Sequence, residues 1–180
     1  MKKILICVVI CLLSACSSFK PDYVVKDASL SSRPSWLNEP IKAAKNSKEE
    51  KEFLFYVGNE ENVNKNLCIT GSSVRATTNL GSVIMFYLKN LFIENNTSQN
   101  NEYDEKVIEE LKREIDVYLS NVSLVSTYWE KRAYLIEMGA TEDVVKFNCT
   151  SVVKMPIKNV TEMIKRNASK MSNSTLNKND

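Results

Sequence analysis

Histidine is absent from this chain of 180 residues, glycine and proline occur four times each, and after residue 15 there is no apolar run long enough to cross a bilayer. Without histidine the commonest general base and the commonest metal ligand are both missing. Cysteine is scarcer than its count of five suggests, because Cys7 and Cys11 fall in an N-terminal apolar stretch and Cys16 closes it, leaving Cys68 and Cys149. Two thiols with no histidine cannot complete a four-ligand zinc site, so no metal and no cofactor is expected. Excess charge is lacking as well. Residues 1–15 contain Lys2 and Lys3 and no acid, so without them 22 Lys and Arg face 22 Asp and Glu. A neutral chain offers neither the basic stripe that nucleic acid requires nor a polybasic patch for anionic lipid.

The N-terminus has a definite pattern. Lys2 and Lys3 precede the apolar run Ile4 to Leu13, and Leu13-Ser14-Ala15-Cys16 has the form of a bacterial lipobox, in which Cys16 is diacylated and becomes the first residue after cleavage. Residues 1–15 are therefore expected to be a signal peptide and Cys16 the lipidation site. Each buried methylene contributes about 0.8 kcal/mol, so a multiply acylated cysteine anchors a protein without a transmembrane helix. Ser17 stands where an inner-membrane retention signal places Asp, which favours the outer membrane, on its periplasmic face or at the cell surface.

Residues 16–50 are rich in Ser, Lys, Asp and Pro and read as a lipidated tether. Trp36 is the exception, a large apolar side chain next to the stiff Pro34, expected to dock on the domain or to meet lipid or a partner. A single domain is expected over residues 51–171, with 172–180 a disordered tail. Phe53 to Val57 reads as a buried strand ending at Gly58. From Asn62 to about Phe92, Val63, Leu67, Thr70, Val74, Thr77, Gly81, Ile84, Leu88 and Leu91 recur at steps of four and three, predicting one long helix whose small residues approach a sheet closely. Asn95 to Asn101 reads as a loop. A second amphipathic helix carries Leu111, Ile115, Tyr118 and Leu119 on one stripe, and Val122 to Ile136 and Val144 to Met155 read as an antiparallel pair turning at Gly139. A terminal helix from Asn159 to about Met171 completes an α+β domain, a small antiparallel sheet with a long helix and one or two further helices packed on one face.

Catalytic residues are not assigned. Glu49-Glu50, Glu60-Glu61 and Glu109-Glu110 are adjacent carboxylates without a nucleophile, and Ser72-Ser73 with Lys65 or Arg75 lacks the spacing of a serine-lysine arrangement. The residues best suited to bind a protein partner are Trp36, Tyr128, Trp129 and Arg132, since aromatic side chains and Arg dominate interface energies. Cross-strand packing would account for the last three as well. Cys68 and Cys149, on a helix and a strand expected to pack together, are either disulfide-bonded or two buried thiols.

The succession Pro34-Ser35-Trp36, Tyr56-Val57-Gly58, Arg75-Ala76, Tyr128-Trp129-Glu130-Lys131 and Val152-Val153-Lys154-Met155-Pro156 resembles the LPP20-type bacterial lipoproteins over roughly residues 33–165. Thr and Ser occupy the long helix where that family is alanine-rich. The resemblance implies an outer-membrane lipoprotein, in some members an accessory part of the flagellar basal apparatus. The expectation is thus a non-enzymatic structural or assembly component of a cell-envelope complex, held to the membrane through Cys16, with an envelope protein or its own copies as partner. The alternative is a periplasmic module that takes a small apolar or cell-wall-derived ligand beneath the small-residue helix.

Overall fold

The computed structural model describes residues 21–95 and 105–176; the signal peptide, Cys16 and the polar stretch after Asn95 lie outside the described residues. Four strands, β1 (Tyr23–Ala28), β2 (Phe53–Asn62), β3 (Ser123–Tyr134) and β4 (Val144–Pro156), form one antiparallel sheet in the order β1-β3-β4-β2. Helices α1 (Ser47–Glu52), α2 (Lys65–Asn95), α3 (Glu105–Leu119) and α4 (Ile157–Leu176) complete an α+β fold. Alternation along β4 gives the sheet two distinct faces. Cys149, Ser151 and Met155 meet α2 and the helical core, and Thr150 and Val152 turn the other way. The β3–β4 hairpin closes through a single 3-10 turn, Ile136–Met138, and Gly139 follows at φ +102°, a left-handed conformation that suits glycine.

The helix-side core consists of Leu80, Ile84 and Leu88 of α2, Leu111 and Ile115 of α3, Met163 of α4 and Met155 of β4. The face of α2 differs from the expected one in its N-terminal half. Its buried line is Cys68, Ser72, Ala76, Leu80, Ile84 and Leu88, at strict steps of four, whereas Leu67 is 60% exposed and Val63 and Val74 lie open. A four-residue step advances about 40° beyond a full turn, so this line winds around the helix and does not follow one straight stripe. Small residues occupy its first half because α2 lies directly on β2: a Cβ added at Gly58 would sit 2.1 Å from the backbone nitrogen of Ala76. Gly81 serves a different contact, facing Leu119 and Ile115 of α3.

The tether expected over 16–50 is corrected. Residues 23–28 form an edge strand on β3, with Tyr23 opposite Tyr134 and Ala28 opposite Glu130, so the domain begins near Asp22. Trp36, 8% exposed, joins Phe55, Tyr128 and Val152 in a second core on the face opposite α2, with Leu37, Ala43 and Ala44 packed around it. Polar composition concealed this segment. A short edge strand with one covered face needs little apolar sequence, and β1 also carries a bulge between Val25 and Asp27 that discourages further pairing. The tail boundary shifts too: α4 runs to Leu176, with no Gly or Pro after its start to stop it, and residues 177–180 lie outside the described residues.

Candidate functional site

The four residues proposed for partner binding are divided between the two sheet faces. Trp36, Tyr128 and Arg132 lie on the face opposite α2. Trp129 points to the helix side, where Lys65 Nζ sits 3.7 Å from its ring centroid and Phe147 packs edge-on at 5.8 Å. That division follows from strand alternation, which separates neighbours in sequence.

Glu130 is the centre of the first group. Its side chain is 4% exposed, and a carboxylate so buried demands full compensation. The Tyr128 hydroxyl donates to Oε1 at 3.0 Å, Arg33 Nε lies 3.0 Å from the same oxygen, and Arg132 approaches Oε2 through Nε at 2.8 Å and Nη2 at 2.7 Å. The Arg132 guanidinium also covers the Tyr23 ring, 4.2 Å from its centroid. β1, β3 and the segment around Trp36 therefore meet at one charge cluster. Beside it Tyr134 donates to Glu61, whose other oxygen pairs with Lys146 Nζ at 3.5 Å.

Burial by itself pushes the Glu130 carboxyl up, but the Arg132 hydrogen bonds and charge, the Tyr128 hydroxyl and Arg33 outweigh it and hold the group below the ordinary carboxylate range. Tyr128 moves the opposite way, raised by burial and by Glu130. Glu130 therefore stays ionised at neutral pH and acts as an electrostatic clasp. Its stabilisation is complete above the unfolded value near 4.3 and is lost as pH falls through the lower folded value. Glu130→Gln, which leaves the largely covered Arg132 without its counter-charge, is expected to cost about 3 kcal/mol at pH 7. Urea unfolding at pH 7 and pH 3 checks this: the gap between variant and wild type should shrink at pH 3, and an unchanged gap would reject the role of the charge.

Elsewhere several of the polar side chains considered for chemistry are engaged in contacts within the fold. Ser72 is fully buried, its Oγ 2.7 Å from Ser151 Oγ and donating to the Ile69 carbonyl at 2.9 Å. Glu60 pairs with Arg75, and Glu49 with Lys154, which lowers the Glu49 pKa chiefly through that hydrogen bond. Among the described residues no group of three or more Cys, Asp or Glu is placed to hold a metal ion, and no described helix is long and apolar enough to cross a membrane.

Cys68 and Cys149 are joined as a disulfide between α2 and β4, with Cα atoms 5.7 Å apart and both side chains fully buried. Sequence reasoning offers this bond as one of two alternatives but misses an open groove of about 490 Å³ between α2 and α3 lined by Gly81, Met85, Phe86, Ile115 and Leu119. Phe86 is 67% exposed at its rim, and Val83 and Tyr87 are exposed nearby. Three bulky apolar residues off the expected stripe of α2 were the available signal. The space beneath α2, where the ligand-binding alternative placed its molecule, is occupied at Gly58 by direct backbone contact. No protein-family model matches the chain, and no curated protein does either. The resemblance to LPP20-type lipoproteins accordingly rests on the short motifs themselves.

Proposed function

We propose that this protein is a lipid-anchored, non-enzymatic component of the bacterial cell envelope, held at the outer membrane by acyl chains on Cys16 and serving a structural or assembly role. The observation that carries the reading is the motif Leu13-Ser14-Ala15-Cys16 behind a basic and apolar leader. The disulfide supports it independently. Cys68 and Cys149 are the two cysteines that remain beyond that motif, and a buried bond between them suits an oxidising compartment outside the cytoplasm. The charge cluster agrees with a structural role, since both carboxylate oxygens of Glu130 are taken up by Tyr128 and Arg132 of β3 and by Arg33 beside the Trp36 segment, and Arg132 in turn covers Tyr23 of β1.

Labelled palmitate tests the anchor. Label should enter the wild-type chain and be lost in Cys16→Ser, with the variant leaving the outer-membrane fraction; an unlabelled wild type would sink the reading. Crosslinking in intact cells tests the assembly role, which requires recovery of a defined partner or of a self-linked species.

A further inference from the structure

We infer that one pole of the domain, the β3–β4 hairpin tip with the apolar residues beside it, docks on the surface of the bilayer that holds the Cys16 anchor; this rests on the lipoprotein reading of Cys16. The first reason is the length of the leash. A tether running to residue 50 would let the domain drift more than about 100 Å from the lipid, whereas Asp22 lies six residues beyond Cys16, an extended reach of about 20 Å. The second reason is where that leash enters. The Asp22 carbonyl accepts from Leu135 N at 3.1 Å, and Tyr23 stands opposite Tyr134, so the chain arrives at the hairpin tip.

That pole exposes apolar side chains. Ile136 is 59% and Met138 38% exposed at the tip. On the sheet behind them, Val24 and Val145 flank Ala133 in one cross-strand row and are both exposed. Val63, also exposed, follows Asn62, which stands opposite Phe147 toward this same end of β4. Apolar groups held within 20 Å of a membrane have a surface in which to bury at high effective concentration. The acidic residues define the kind of surface. Asp143 is used inside the turn, accepting from Ile136 N at 2.8 Å, but Glu137 and Glu142 are exposed, which suits zwitterionic headgroups and opposes anionic ones.

The test uses full-length acylated protein in phosphatidylcholine/phosphatidylethanolamine vesicles with brominated acyl chains. Met138→Trp, with Ile136→Trp as a second reporter, is compared with Leu124→Trp at the far end of β3, each measured against the parent's own tryptophans. Docking predicts that emission added at residues 138 and 136 is blue-shifted and mostly quenched while that at 124 is not. Equal quenching at all three positions, or a blue shift at 138 without quenching, as burial against a second copy would give, overturns the proposal. Protein that carries no acyl mass on Cys16 overturns the anchor reading and the docking with it. Acylated protein that floats with the vesicles but is unquenched at 138 overturns docking alone.

Discussion

Replacing both Cys68 and Cys149 with alanine should lower the unfolding free energy by about 4 kcal/mol, a large share of the 5–15 kcal/mol typical of a single domain. The bond spans 81 residues of sequence, so breaking it returns a long loop's worth of conformational freedom to the unfolded chain. Its placement adds to the effect. It ties α2 to β4, the helix and strand that contribute most of the helix-side core, and both sulfurs are fully buried, so each alanine also leaves a small void. Urea unfolding with and without reductant measures the loss: reduced wild type should approach the stability of the double variant. Wild type that is indifferent to reductant would show that the bond does not constrain the chain. With a loss of this size the domain reaches full stability only where thiols oxidise.

Sequence reasoning was most reliable where one physical signal acted alone. In β4, Val145, Phe147, Cys149, Val153 and Met155 alternate with polar residues, and the strand occupies Val144–Pro156 almost as that pattern predicts. α3 shows a clean stripe through Leu111 and Ile115, both buried. Failures arose where two requirements competed. On α2 the sheet contact needs small side chains, and the residues meeting it, Cys68, Ser72 and Ala76, are too polar or too small to register as an apolar face. Val63, Leu67 and Val74 do register, and they are exposed. β1 is only six residues long, five of them paired and on one side, and Val24 and Val25 are exposed, so composition resembled a linker. The Glu130 cluster was hidden for another reason. Tyr128, Glu130 and Arg132 share a face by alternation, but Arg33 comes from nearly a hundred residues away, and only the folded chain brings its charge to them.

The sharpest test of this packing is a pair of glycine replacements with opposite expected outcomes. Gly58→Ala should cost at least about 3 kcal/mol, beyond the usual range for overpacking by one methyl, because its Cβ would meet backbone and not side chain. The atoms it approaches are Ala76 N at 2.1 Å, the Ser72 carbonyl oxygen at 2.4 Å and Ala76 Cα at 2.7 Å. Trimming a side chain on α2 removes none of them. Relief requires α2 to lift from β2, which pulls Ser72 from Ser151 and strains the covalent link at Cys68 one turn earlier. Gly71→Ala, in the same helix, would first meet side-chain atoms of Glu60, its Cγ at 2.8 Å, and that chain can give way by disturbing its pair with the exposed Arg75, a contact of small worth. Alanine there also gains about 1 kcal/mol of helix propensity, so the net change should lie near zero or be stabilising. Thermal and urea unfolding of the two variants therefore rank the sites directly. If Gly58→Ala were no worse than Gly71→Ala, α2 could not rest backbone to backbone on β2, and the winding small-residue face would lose its physical cause.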